Sequence, residues 1–339
     1  MLSAAPRSPW NTRAAPARDA APARSGPGRR LLRRLLRIDP AEATFARRGF
    51  AGVTQARLRL EEVGRTFLDG YHAALEEDPE DGLAARLEAV EPALRGFAYE
   101  GAAMALTLLD ALTPWRRQRV QAFLRGAGRS HAYMVHVGAG WALARLRRPF
   151  HHVPGWMDPL LGWLAADGYG FHQGYFHPRR FVDARALPRR VSGYARRAFD
   201  QGLGRSLWFV HGADPARVAA SIARFAAPRR GDLWSGAGLA CAYAGGPGHG
   251  EAGALAAMAG PYRPALAQGA AFAAGARRRA GNPAPHTELA CLALCGCPAA
   301  AAARVTDDAL EGLAPVGGLP AYEAWRLRIQ RHFAAEARA

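Results

Sequence analysis

The stretch that decides the fold reads Phe171-His172-Gln173-Gly174-Tyr175-Phe176 and, after a basic connector, Gly193-Tyr194-Ala195-Arg196-Arg197-Ala198-Phe199-Asp200-Gln201-Gly202-Leu203-Gly204-Arg205-Ser206-Leu207-Trp208-Phe209. The pattern Phe-x-Gln-Gly occurs in it twice, ending at Gly174 and at Gly202. Related pairs of a polar residue and a glycine recur as Asp69-Gly70, Glu100-Gly101 and Gln268-Gly269. Glycine in a helix interior costs about 1 kcal/mol relative to alanine. Its repeated use in apolar helical runs therefore points to close approach of neighbouring backbones. The polar neighbours Asp69, Glu100, Gln173, Gln201 and Gln268 then have two readings. Either they hold helices in register by hydrogen bonds, or they line a cavity where a few polar groups on an apolar wall orient a ligand. Tyr175 and Asp200, beside two of these pairs, join the candidate ligand-binding set.

An internal period is the next question. Phe67, Gly70 and Tyr71 match Phe171, Gly174 and Tyr175 at an offset of 104. Gly101 and Leu106 match Gly202 and Leu207 at 101, and Gly138 and Gly140 match Gly236 and Gly238 at 98. Thr113-Pro114 and Asp214-Pro215, also 101 apart, each read as a helix N-cap followed by proline at the first helical position. The reading is an internal duplication of a unit of roughly 100 residues; the alternative is chance self-similarity in a chain rich in Ala, Gly and Arg.

Working outward, residues 1–28 hold Ala, Pro, Arg, Ser and Gly with almost no large apolar side chain. Such a segment cannot bury enough surface to offset its ordering entropy, so a disordered arm is expected. Residues 29–53 form a basic amphipathic segment and lead-in, Leu31, Leu32, Leu35 and Leu36 facing away from the arginines. Contact with a membrane surface through 29–38 is one reading; a docked helix with a solvated basic face is the other. Asp39-Pro40-Ala41-Glu42 resembles a capping box. The globular body is expected as a first helical unit, 54–157, and a second, 158–335, that includes C-terminal capping helices. Helical periodicity dominates throughout. Only His131–Val137 and Leu239–Tyr243 suggest short strands. The class is mainly α, a helical bundle or array with little or no β.

The formal charge of +17 is concentrated at the start, where residues 1–38 hold nine arginines and one acid. The remainder is spread among interspersed acids, there is no lysine, and no basic stripe carries aromatics for base stacking. Nucleic acid is not an expected partner. No run of 18 uncharged apolar residues suggests a transmembrane helix. The four cysteines, Cys241, Cys291, Cys295 and Cys297, lack the spacing of a zinc site and read as reduced buried thiols of a cytoplasmic protein. Gly248-His249-Gly250-Glu251-Ala252-Gly253 fits a dinucleotide pattern without the strand that the motif requires, and reads as a loop. Asp307-Asp308-Ala309-Leu310-Glu311 resembles a Mg²⁺-binding acidic element, but Thr306 reads as the N-cap of a helix in which those acids favour the positive end. No metal and no cofactor is expected. His172 and His286, the latter with Glu288, are the candidate catalytic groups, because histidine needs only a small environmental shift to move a proton near neutral pH.

The run Arg59-Leu60-Glu61-Glu62-Val63-Gly64-Arg65-Thr66-Phe67-Leu68-Asp69-Gly70-Tyr71-His72 carries a resemblance, as do the segments 171–181 and 193–212. So do Asp232-Leu233-Trp234-Ser235-Gly236, Leu266-Ala267-Gln268-Gly269-Ala270-Ala271-Phe272, His286-Thr287-Glu288-Leu289-Ala290-Cys291 and Tyr322-Glu323-Ala324-Trp325-Arg326. Over roughly residues 30 to 335 the chain resembles a family of actinobacterial proteins encoded beside the iterative polyketide synthases that make enediyne antibiotics. The resemblance implies a biological setting and assigns no reaction or catalytic residue. It makes a hydrophobic polyene intermediate the expected ligand, held in a helix-lined cavity by an accessory enzyme or binder. The alternative is a non-catalytic scaffold that contacts the synthase or a membrane partner.

Overall fold

The computed structural model describes residues 27–76, 82–113, 118–246, 248–315 and 317–336. The described residues fall into two units, one ending at Leu36 and one beginning at Arg37. In the first, α1 (Pro27–Leu36) is the basic amphipathic helix expected from its leucine spacing. The expectation of disorder for residues 1–28 otherwise lies outside the described residues.

The second unit holds α2 (Phe45–Arg48), α3 (Thr54–Glu76), α4 (Leu83–Glu88), α5 (Pro92–Leu112), α6 (Arg119–Arg125), α7 (Ala132–Arg145), α8 (Trp163–Phe176) and α9 (Ala195–Val210). After these come α10 (Pro215–Ala223), α11 (Ala227–Ala244), α12 (His249–Met258), α13 (Arg263–Ala280), α14 (Pro285–Cys295), α15 (Ala299–Asp308) and α16 (Ala321–Glu336). The described residues contain no strand; an isolated bridge joins Phe150 to Val191. No single described helix is long and apolar enough to cross a membrane; α14 and α15 reach that length together but are bent by 68°.

Seven helices, α3, α5, α7, α8, α9, α11 and α13, pack in chain order as an antiparallel array. Glycine sets their register. A Cβ on Gly170 would run into the Phe199 carbonyl of α9, and one on Gly202 into the Asp167 carbonyl of α8. The same reciprocal contact joins Gly140 with Ala165 and Gly168 with Val137, then Gly204 with Leu233 and Gly236 with Gln201. In each Gly-x-Gly the two glycines sit about 200° apart around the axis, so one faces the preceding helix and the other the next. Alanine takes the second place only at Ala103 and Ala271, on α5 and α13.

The observed period is thus one helix, with the first glycines of successive helices, Gly101, Gly138, Gly168, Gly202, Gly236 and Gly269, 30 to 37 residues apart. Three such steps separate Gly101 from Gly202 and Gly138 from Gly236, so the single-helix register accounts for the offsets of 101 and 98 without a duplicated 100-residue unit. Gly70 packs in the register of Gly170, and Gly174 lies one turn further on, against the Ser206 hydroxyl.

The array curls. Arg59 Nε on α3 donates to the Ala244 carbonyl at the end of α11 (3.1 Å). Arg277, on α13, donates to the carbonyls of Tyr243 (2.6 Å) and Ala93 (3.1 Å), which ties α13 to the start of α5.

Several local expectations are corrected. His131–Val137 belongs to α7, with His131 as its N-cap position, and Leu239–Tyr243 belongs to α11. Both helices are buried nearly all round, so alanine and glycine replace the amphipathic period that would have marked them. Asp214 caps α10 as expected, accepting from Ala216 N (2.9 Å) and Arg217 N (3.1 Å) ahead of Pro215. Thr113 instead closes α5, its hydroxyl donating to the Leu109 carbonyl, and Pro114 lies outside the described residues. Thr306 is buried within α15, donating to the Ala303 carbonyl, and Asp307 and Asp308 end that helix. Gly248 and His249 begin α12, where a loop was expected.

Candidate functional site

The polar residue before the first glycine of a helix is where chemistry concentrates. Glu100, Asp167, Gln201, Ser235 and Gln268 all hold that place and all are buried. Close helix packing brings the last four into one hydrogen-bonded row, and Arg205, bonded to Asp167, stands between that row and Glu100. Gln201 Nε2 donates to Asp167 Oδ2 (2.8 Å) and to the Tyr322 hydroxyl (3.1 Å). Ser235 Oγ lies 3.3 Å from Gln201 Oε1 and donates to Gln268 Oε1 at 2.9 Å. Gln268 Oε1 also accepts from Gln330 on α16 (3.2 Å). Buried polar groups are costly unless satisfied, and this row satisfies most of its members across five helices.

Glu100 and Arg205, at one end of the row, border a pocket. Its empty volume is about 580 Å³, counting solvent at its mouth, and α3, α5, α7, α8, α9 and the segment 38–43 enclose it. Phe67, Phe97, Met104, Trp141, Phe171 and Phe209 are among the apolar residues of its wall. Segment 38–50 is stapled over this region. Tyr175 Oη, on the wall, donates to the Glu42 carbonyl (3.1 Å), and Arg48 donates to the Phe176 carbonyl (3.1 Å).

Three charged residues border the apolar wall, Glu42, Glu100 and Arg205; Glu42 is paired with Arg47 and Arg48. Glu100 Oε1 accepts from Trp141 Nε1 (3.0 Å) and lies 3.9 Å from Arg205 Nη2. Burial pushes its carboxyl up to about 7, against the pull of the Arg205 guanidinium. Near neutral pH Glu100 therefore both donates and accepts hydrogen bonds, which an ordinary carboxylate does not. Arg205 Nη1 donates to Asp167 Oδ1 at 2.5 Å, and its guanidinium lies 5.0 Å from the Phe171 ring centroid. A second, smaller cavity also borders Arg205 and Asp167, with Tyr133, Tyr243 and Phe272 among its lining.

The structure brings Glu100 and Tyr175 to the pocket wall. Gln201 and Gln268 stand in the hydrogen-bonded row and do not border the pocket. Asp69 is exposed and Gln173 half-buried, and neither is on the wall. Asp200 forms a two-point ion pair with Arg229 (2.8 and 2.6 Å), and burial still pushes its carboxyl up to about 6.

The candidate histidines lie apart from the wall. His172 packs beside Trp141 and Phe176, with ring centroids 5.7 and 4.8 Å away, and burial pulls its imidazole down to about 3. That holds it neutral and unable to accept a proton near neutral pH. His286, on α14, contacts the Tyr243 carbonyl (3.0 Å) and Arg277 (3.2 Å), and Glu288 accepts from the first backbone N–H of α15, Ala299 N (2.9 Å). Both serve as helix connections. Cys291 and Cys295 are buried with Sγ atoms against the Ala270 and Ala267 carbonyls.

Asp167, Arg205 and Trp141 are site residues that sequence reasoning passed over. Asp167-Gly168 repeats the polar–glycine pair and carried that signal; Arg205 and Trp141 show none, since their partners lie far off in the chain.

The fold and site define an all-α protein with a stapled apolar pocket. A family model matches residues 28–333, and the chain belongs to that family, described as "Protein of unknown function (DUF1702)". No curated protein and no solved structure matches it.

Proposed function

We propose that this protein binds a long unsaturated polyketide intermediate in the pocket between α3, α5, α7, α8 and α9, as an accessory protein of enediyne-type biosynthesis. One observation carries the reading: an apolar, aromatic-rich pocket with the buried carboxyl of Glu100 and guanidinium of Arg205 among its few polar points. Small-molecule sites are mostly apolar and carry a few fixed polar groups. The biosynthetic setting comes from the resemblance of segments such as 59–72 and 266–272. Glu100, not His172, is the group placed to exchange a proton with a bound chain.

The test is to mix the purified protein with the polyene released by such a synthase and record its absorption. A red-shifted band without a new product marks a binder, and a new product marks an enzyme. Met104→Trp, which fills the wall with a larger side chain, should abolish the shift. An unchanged spectrum together with co-purification of the synthase would replace this reading with that of a scaffold.

A further inference from the structure

The connections that follow α7 and α8 run side by side. Phe150 N donates to the Arg190 carbonyl (2.8 Å) and Ser192 N to the Phe150 carbonyl (3.3 Å), which stitches the two together. Arg145, Arg147 and Arg148 lead into the first connection, and Arg179, Arg180, Arg189 and Arg190 stand on the second. All seven are exposed, and among the described residues none forms an ion pair. Burial lowers the His177 imidazole, and the guanidinium groups of Arg48, Arg180 and Arg147 lower it further. Burial raises the Tyr169 phenol, and Arg190 and Arg147 act against that rise. Arg147 thus acts on the surroundings of both Arg180 and Arg190, and the two connections present one continuous cationic face.

Like charges held together repel, and two arginines of these connections carry backbone strain as well. Arg147 and Arg185 have φ of 52° and 53°, in the left-handed region that glycine adopts freely and other residues resist. The dipole of α7 accounts for Arg145 in its last turn, but no helix end accounts for Arg189 and Arg190, well past the end of α8. The acids do not neutralise the face: Asp158 accepts from the Leu160 and Leu161 N–H groups (2.9 and 2.7 Å), and Asp183 is the single acid of the segment 177–190, against five arginines. An anionic partner supplies the missing charge. Phe150 and Phe181 are buried, so no phenyl ring is offered for the stacking that single-stranded nucleic acid uses. An acidic protein would find no cluster of aromatic or aliphatic anchors there. Leu187 instead stands alone between Arg185 and Arg189, 54 % exposed. A single aliphatic tip among guanidinium groups suits the lipid–water interface, where phosphates accept paired N–H bonds and the tip passes below them.

We propose that this face docks the protein on a membrane surface rich in anionic phospholipid, with Arg147, Arg180, Arg189 and Arg190 pairing with headgroup phosphates and Leu187 entering the interface. The protein lies on the bilayer and does not span it. The inference is independent of the ligand-binding reading above.

The experiment is co-sedimentation of the full chain with vesicles of phosphatidylcholine, alone or mixed with phosphatidylglycerol. The protein should partition onto the mixed vesicles only, and added salt should release it. Because residues 1–38 carry nine arginines of their own, variants decide which region binds. The triple variant Arg147→Gln, Arg180→Gln, Arg190→Gln should weaken partitioning about a hundredfold, about fivefold for each arginine at the surface. Leu187→Ser should weaken it about threefold. A control triple, Arg224→Gln, Arg263→Gln, Arg331→Gln, removes the same charge from exposed positions on other elements and should weaken it by less than about threefold. Equal weakening by the two triples overturns the inference, because overall charge or the N-terminal arm then does the binding. Equal partitioning onto neutral vesicles overturns it as well. So does the absence of partitioning, which would leave the cationic face to an acidic protein.

Discussion

The Asp167 carbonyl rests against the Cα of Gly202, with no room between α8 and α9 for a methyl group. Gly202→Ala should therefore force the array apart and cost about 3 kcal/mol or more, at the upper end of overpacking penalties. Gly253, on α12, offers the contrast, because a Cβ there would meet nothing within 4 Å. Gly253→Ala should stabilise the protein by about 0.5–1 kcal/mol through helix propensity. Urea midpoints of the two variants measure both effects. Similar midpoints would show that the glycines do not set the packing.

The buried carboxyl of Glu100 makes stability depend on pH in a definite direction. The unfolded chain ionises this group near 4.5, and the folded protein near about 7. Between those values the folded state keeps a proton that the unfolded state has lost. The group's contribution to stability therefore falls as pH rises through the window and is constant above it, up to about 3 kcal/mol in all. Glu100→Gln removes that loss, so the variant should gain on the wild type from about pH 5 to about pH 8. A stability difference that does not change with pH would contradict the buried neutral acid.

His172 acts with the opposite sign. Its imidazole ionises near 6.5 when unfolded and near about 3 when folded. Below 6.5 the unfolded state takes up a proton that the folded state refuses, so stability is lost as pH falls. This one group accounts for about 2 kcal/mol between pH 6.5 and about 5. His172→Phe keeps the ring contacts with Trp141 and Phe176 and should flatten the acid limb of the stability profile by that amount. An unaltered acid limb would place the ionisation elsewhere.

Arg326 on α16 locks the C-terminal helix onto the array. It bonds Asp232 (2.7 Å) and Glu323 (3.0 Å), both also paired with Arg197. Arg326→Met leaves one buried negative charge uncompensated and should cost about 3–5 kcal/mol. The exposed pair of Arg278 with Asp307 is a control: Arg278→Ala should change stability by no more than about 0.5 kcal/mol. Thermal melts of both variants compare the two. Equal effects would mean that the α16 network is as solvated as the surface pair.

The sequence by itself determined the helical class, the close approach of helices at polar–glycine pairs such as Gln201-Gly202, and the start of α10 at Asp214. Each is written in residues within a few positions of one another, where capping, glycine cost and apolar period act. The sequence did not reveal α7 and the end of α11, because a helix buried on both faces has no polar side and therefore no 3.6-residue period. Nor did it separate Glu100, which reached the pocket, from Gln201 and Gln268, which satisfied one another. The same local pattern precedes all three glycines, and what distinguishes them is the partner across the interface. Glu100 meets Arg205 and Trp141 from helices far along the chain, and only the curl of the array leaves a cavity beside them. Register between antiparallel helices is a sum of many distant contacts, and that sum is settled by tertiary packing.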